Sequence, residues 1–323
     1  DALASSGTLN VLAFADYVPP ESLAAFEATT GIKVALTPFG SNAEAFERLS
    51  DPKSAHDVVF TSVTSGPAFY AAGHFRPLDE ARLKLDRVIP SILRDSVQLG
   101  ATHRGARMLV PYNWGTEGIT FDTALFPVSD ADVSYDLLWR PEATGRSVVR
   151  VQSIVVGTAI YLDAIGLVKS NRALDLFKSE ADMRRVLDQV VAFILARRDR
   201  IARFWTHAAD ARAAFSAGGQ VGLTWDTTGL LLAREDARWK YRLPKEGGLT
   251  WLDGVGIAAR TTRMDQAYAF LDALLTPETG GRMAARTGYN SAMAGAARFA
   301  GDDYARQYGE VYTPETLQAL WWW

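Results

Sequence analysis

The chain has 323 residues, 48% of them hydrophobic and 22% charged, and a formal net charge of -3. That length and composition predict two folded domains with full cores, and the charge excludes a basic footprint for nucleic acid. No apolar run nears the roughly 20 residues needed to span a bilayer, and the absence of cysteine excludes disulfides, thiolate metal sites and a cysteine nucleophile.

The opening "DALASSGTLNVLAF" has no initiator Met. It is read as a mature terminus left after removal of a signal peptide, which implies an exported, periplasmic protein. Strands and helices then alternate. "TLNVLAF" predicts a strand, and "PPESLAAFEATTG" a helix opened by proline and closed by Gly31. "IKVALTPF", "SNAEAFERL", "DVVFTS" and "GPAFYAAG" continue the rhythm as strand, helix, strand and helix. A hairpin arm turning at Arg104-Gly105 follows in "THRGARMLVPYNWG", before "GITFDTALF".

The second half predicts a strand at "SVVRV" and helices at "SIVVGTAIYLDAIG", "ADMRRVLDQVVAFILARR" and "DARAAFSAGG". "GGQVGLTWDTTG" follows, a strand whose end sets Trp225 beside Asp226. Asp226 suits the N-cap of a helix through "GLLLARED". "WKYRLPKE" and "LTWLDGVGIAAR" are read as a strand pair, and the remainder as helical. This alternation predicts mostly parallel, doubly wound α/β sheets. The lack of a low-complexity linker predicts that the chain crosses between lobes inside strands, more than once.

Catalytic and metal signatures do not assemble. His56, His74, His103 and His207 are scattered, with no H-E-x-x-H spacing, and there is no G-x-S-x-G or Walker A stretch. "GVGIAA" matches a loose dinucleotide pattern, yet an apolar strand runs on through it and its helix begins only near Met264. The sequence therefore predicts a binding protein with no cofactor, metal or catalytic residue. A two-lobed α/β enzyme is the rival reading, and a receptor-type sensor a third.

"DYVPPESLAAFEATTGIKV", "VPYNWGTEGITFD", "YDLLWRPEATG", "LPKEGGLTWLDGVGIAA" and "LLTPETGGRMAARTGYN" resemble, in this order, stretches of the spermidine/putrescine-binding family of periplasmic solute-binding proteins. The resemblance implies a type II periplasmic-binding-protein fold, two α/β lobes joined at a hinge that closes on a ligand held in the cleft between them. Lobe 1 is expected at 1–113 plus 253–300 and lobe 2 at 114–252 plus 301–323. It further implies a monomer that delivers a small molecule to an ABC permease in the inner membrane.

Pocket positions carry over residue by residue. Phe14, Ala15, Asp16 and Tyr17 follow the first strand, and Ser62 and Thr64 the third. Trp225 matches a pocket tryptophan and is followed by Asp226; Trp251 and Asp253 match a "W-x-D", and Tyr289 the tyrosine of "G-Y". Core packing is the alternative for Phe14, Trp251 and Tyr289, a turn hydroxyl for Ser62 and Thr64, and a local hydrogen bond for Asp253. Where polyamine binders carry acids, this chain has Gln152, Ser153 and Val156. A diamine would then leave one buried ammonium unpaired, which is costly.

Arg203, in "IARFW", offers a planar fork suited to a carboxylate; an ordinary ion pair is the alternative. The reading is a small ω-amino acid, with Asp226 on the ammonium, Arg203 on the carboxylate, and Phe14, Trp225 and Trp251 along the methylenes. The sequence resembles the 4-aminobutyrate-binding branch of the family, and putrescine is the runner-up.

Overall fold

The computed structural model describes residues 7–323; residues 1–6, on which the reading of a processed terminus rests, lie outside the described residues. The chain divides into two compact units and passes between them after Trp114, after Thr250 and after Tyr308, with Trp322 again in the first. The sequence reading put these passages at 113/114, 252/253 and 300/301.

The first unit opens with β1 (Thr8–Phe14), α1 (Pro20–Thr30), β2 (Lys33–Phe39), α2 (Asn42–Ser50) and β3 (Val58–Ser62). Two short helices, α3 (Gly66–Ala71) and α4 (Pro90–Ser96), lead to the hairpin of β4 (Thr102–His103) and β5 (Ala106–Arg107). Arg104 and Gly105 at its turn have φ of 49° and 81°, the positive pair that matches the twist of a two-residue hairpin. Gly31, with φ of 73°, closes α1 in the left-handed conformation. Strand β6 (Val110–Asp122) then carries the chain into the second unit.

There the order is β7 (Ser147–Val149), α5 (Val151–Ala164), α6 (Glu180–Leu195), β8 (Ile201–Phe204), α7 (Ala208–Ser216), β9 (Val221–Trp225), α8 (Asp226–Glu235) and β10 (Trp239–Arg242). Strand β11 (Leu249–Ile257) returns to the first unit, which continues with α9 (Met264–Leu274), α10 (Pro277–Thr287) and β12 (Asn290–Ser291). Helix α11 (Asp302–Val311) leads back to the second unit and α12 (Pro314–Gln318), and β13 (Trp321–Trp322) ends the chain's elements.

In the first unit β1 lies between β2 and β3, parallel to both, with Val11 opposite Leu36 and Val58. Strand β11 runs antiparallel to β3 and sets Asp253 opposite Ser62. In the second unit β7 lies parallel between β8 and β9. Strand β6 runs antiparallel to β9 and sets Glu117 opposite Trp225. Each unit thus contributes a parallel trio with antiparallel strands added.

Strands β1, β3, β7 and β9 are largely buried on both faces, as near-continuous apolar strands should be, whereas the outer strands β2 and β8 are mostly exposed or half-buried. Leu9, Val11, Leu12, Val58, Val59 and Phe60 are buried in the first unit. In the second, Ile154 and Ile160 of α5 and Val186 and Val190 of α6 join one core with Ile119, Phe121 and Leu223. Each such side chain contributes about 1.5–3 kcal/mol on burial.

Two readings are corrected. "WKYRLPKE" and "LTWLDGVGIAAR" do not pair with each other: β10 aligns antiparallel with Ile119–Asp122 of β6. The segment between them cannot form a tight hairpin, because Pro244 has no N–H and the Lys245 N–H is taken by the Val133 carbonyl. The strand foreseen at "SVVRV" stops at Val149, and Arg150 becomes the N-cap residue of α5.

Candidate ligand-binding site

The ends of β1, β3 and β11 bring together one cluster in the first unit. Asp253 is buried, and its two carboxylate oxygens are taken by two hydroxyls: Ser62 Oγ donates to Oδ1 at 2.7 Å, and Tyr17 donates to Oδ2. Ser62 is itself held, its hydroxyl accepting from Asn42 Nδ2 at 3.0 Å and its N–H donating to Asn42 Oδ1 at 3.0 Å. The backbone after β1 turns sharply at Asp16, with φ of 68°, which brings Tyr17 back beneath Phe14.

Aromatic rings cluster around the tyrosine that holds the acid. Tyr17 lies 5.0 Å from Phe14 and 6.4 Å from Tyr289, and Tyr289 meets Trp251 edge to face at 5.1 Å. Trp251 and Tyr289 are both partly exposed. No lysine, arginine or histidine among the described residues forms an ion pair with Asp253. Burial pushes its carboxyl above the ordinary value of 3.8, against the pull of the Tyr17 and Ser62 hydroxyls. Burial next to this acid likewise raises the Tyr17 phenol, so it stays a donor.

Asn113 is buried nearby on β6. Its side-chain amide opposes the upward shift of Tyr17, yet neither its nitrogen nor its oxygen reaches hydrogen-bond geometry with a described residue. The backbone of Asn113 pairs with Ser291, so the side chain is fixed with its hydrogen-bonding capacity unspent.

A pH dependence follows from Asp253. In the free protein the folded state keeps the proton to a higher pH than the unfolded chain does. Asp253's contribution to stability is therefore present at acid pH and lost as pH rises through its raised value. A bound ammonium reverses the preference, because it favours the carboxylate. Were an ammonium to bind at Asp253, its affinity would fall as pH drops through a value above 3.8, with a proton released on binding. Calorimetry in two buffers of different ionisation enthalpy, repeated from neutral into acid pH, reads that proton directly.

The second unit gathers a different cluster at the ends of β7, β8 and β9. Glu117, on β6, is buried; its Oε1 accepts from Arg150 Nη1 at 2.8 Å and from Trp225 Nε1 at 3.2 Å. The Arg150 guanidinium lies 5.6 Å from the Trp225 ring and 5.8 Å from Trp205, and the two indoles meet edge to face at 5.0 Å. Burial pushes the Glu117 carboxyl up, opposed by Ser153, Arg150 and Trp225. The Ser153 hydroxyl and Glu117 Oε2 are nevertheless outside hydrogen-bond geometry with each other and with every other described residue.

Asp226 stands apart from this pair. It is the first residue of α8, with Trp225 as the N-cap, and Oδ1 accepts the Thr227 N–H at 2.7 Å. Oδ2 accepts the Thr116 N–H at 3.0 Å and the Tyr312 hydroxyl at 2.9 Å. Thr116 Oγ1 joins both the Tyr241 and Tyr312 hydroxyls at 2.7 Å. The acid is only 1% exposed and is enclosed by donors of its own unit.

Other predicted positions are open. Arg203 is exposed on β8, the edge strand of its sheet. Gln152 and Thr64 are exposed, and Asp16 forms a surface ion pair with Arg286 at 2.7 Å. Sequence reasoning missed Glu117 and Arg150. The available signal was a glutamate inside "VPYNWGTEGITFD", a long strand otherwise built for burial, since a buried acid demands a partner.

Sheet ends that present aromatic rings and buried carboxylates in this way suit the binding of a small polar solute. The sequence profile of the bacterial extracellular solute-binding proteins matches residues 21–308, and the chain belongs to that family. It is 27% identical over 298 residues to a putrescine/agmatine-binding protein of Pseudomonas aeruginosa, across 89% of this chain and 79% of that protein.

Among solved structures it is similar to the spermidine/putrescine ABC transporter substrate-binding protein PotD of Streptococcus pneumoniae. That match has a TM-score of 0.79 at 20% identity, over 98% of this chain and 92% of the other. It is also similar to the GABA receptor Atu4243, with a TM-score of 0.68 at 16% identity, over 97% and 93% of the two chains. The fold is the two-lobed α/β fold of periplasmic binding proteins, and the chain is a solute-binding protein, not an enzyme. No helix among the described residues is long and apolar enough to cross a membrane.

Proposed function

We propose that the chain is the periplasmic substrate-binding component of an ABC importer, and that its solute is a small ω-amino acid, 4-aminobutyrate first. The observation that carries this reading is Asp253, a buried carboxylate held by two hydroxyls and given no cation by its own unit. Leaving such a charge unpaired is expensive, so a ligand ammonium is its natural complement. The rings of Phe14, Tyr17, Trp251 and Tyr289 suit the short aliphatic chain behind that ammonium and add cation–π attraction at its head. The printed names of relatives support an amine, and that of the GABA receptor supports an ω-amino acid.

The protein would act as a monomer, close at its hinge on binding the ligand, and pass it to a permease in the inner membrane. Putrescine is the second reading. It is favoured by the printed name of the putrescine/agmatine-binding relative.

Titration calorimetry with 4-aminobutyrate, 5-aminovalerate, β-alanine, putrescine and spermidine separates the readings. The expected order puts 4-aminobutyrate well above spermidine. Tight spermidine binding with no heat from 4-aminobutyrate would sink the proposal.

A further inference from the structure

We propose that Asn113 is a specificity-determining residue of the Asp253 site: its side-chain oxygen accepts from the solute's ammonium and selects a primary ammonium over a quaternary one. The inference rests on the reading of the solute as an amine held at Asp253. It deepens that reading within the first unit, to which Tyr17, Asn113, Trp251, Asp253 and Tyr289 all belong.

Strand β6 brings Asn113 to the cluster. Asn113 pairs with Ser291, two residues after Tyr289. The preceding Tyr112 donates its hydroxyl to the Tyr17 carbonyl, and the two rings lie 6.1 Å apart. The same stretch of β6 runs along β11: a Cβ at Gly254, next to Asp253, would lie 3.0 Å from the Val110 carbonyl oxygen. The Asn113 amide is close enough to the Tyr17 phenol to oppose its upward shift.

The side chain is fully buried, yet its oxygen and its nitrogen both lack a hydrogen-bond partner among the described residues. A buried amide left in that state is costly and calls for an explanation. A ligand that supplies the missing partner provides one.

Counting donors against acceptors gives the amide its role. A primary ammonium has three N–H donors. A carboxylate has about four lone-pair sites, and on Asp253 two are taken by the Tyr17 and Ser62 hydroxyls. Two ammonium donors can then be placed on Asp253, and the third needs an acceptor beside it. Asn113 Oδ1 is such an acceptor, with its capacity unspent.

A quaternary ammonium has no N–H to give and leaves the amide unpaired. The rings of Phe14, Tyr17, Trp251 and Tyr289 do not make this distinction, since an aromatic face attracts either cation. The polar group decides, as in sites that reject a ligand lacking the expected hydrogen-bonding group.

The test compares 4-aminobutyrate with 4-(trimethylammonio)butanoate in wild type, Asn113→Leu and Asn113→Ala, with urea unfolding of each free protein. Leucine keeps the branched shape without the amide, and alanine removes the amide without adding volume. In wild type, 4-aminobutyrate should bind the tighter of the two. Asn113→Leu should weaken 4-aminobutyrate by roughly 10-fold or more, the effect of losing a hydrogen bond to a charged group, and the trimethyl analogue by less than about 3-fold. Its urea midpoint should not fall, because a buried polar group without a partner has been removed.

Equal losses for both ligands, with a lowered midpoint, would reduce Asn113 to a structural role and overturn the inference. So would unchanged 4-aminobutyrate affinity in both variants. Should Asn113→Leu fail to fold, the same selective loss in Asn113→Ala supports the inference and its absence overturns it. A wild type that holds the two ligands equally tightly overturns the inference and leaves the amine reading standing; one that binds neither overturns both.

Discussion

Asp253→Asn is expected to lower 4-aminobutyrate affinity by about 2–5 kcal/mol, the range for removing one partner of a buried charge pair, or roughly 30-fold and beyond. The substitution is nearly isosteric. Its carbonyl still accepts from one of the two hydroxyls that hold Asp253, and either hydroxyl can turn to accept from the new amide. The free protein should therefore fold, and it should be no less stable than wild type near neutral pH, because a costly buried charge has gone. Affinity near wild type in a folded Asp253→Asn protein would remove the ammonium from this position.

Asp226 should behave in the opposite way. Its carboxylate collects the Thr116 N–H, the Thr227 N–H and the Tyr312 hydroxyl inside a core where it is itself buried. Asp226→Ala leaves those donors without their acceptor, and each buried orphan costs about 1–3 kcal/mol. A total of about 3 kcal/mol or more lies in the range reserved for broken buried networks.

Even Asp226→Asn should cost about 1–2 kcal/mol, since its single oxygen can serve one side of the network while its NH2 faces donors on the other. Urea unfolding reads this as a lowered midpoint at constant slope. An unchanged midpoint for Asp226→Ala would return the residue to the plain helix-end role, and a selective loss of amine binding without loss of stability would give it the ammonium.

The contrast between these two acids explains what could be read in the sequence. Local punctuation was legible: Gly31 ending a helix, Arg104-Gly105 turning a hairpin, and "GVGIAA" running on as strand β11 to a helix that starts at Met264. These features are set by φ preferences and periodicity within a few residues. Partnerships across the chain were not legible. Tyr17 meets Asp253 from 236 positions away, and Trp225 meets Glu117 from 108.

Only strand register decides such meetings. The register of β6 on β9 puts Glu117 opposite Trp225, and the early end of β7 frees Arg150 to reach that carboxylate. The sequence showed an arginine in "IARFW" and an acid after Trp225, both of the right chemical type. Burial then separated a solvated Arg203 from a braced Arg150, and an enclosed Asp226 from an unpaired Asp253.

The most direct measurement is a crystal structure of the protein with 4-aminobutyrate bound. The account predicts the ligand nitrogen within about 3 Å of an Asp253 carboxylate oxygen, its chain lying against the Trp251 and Tyr289 rings. A ligand nitrogen seated on Asp226, or a bound ligand that leaves Asp253 untouched, would contradict it.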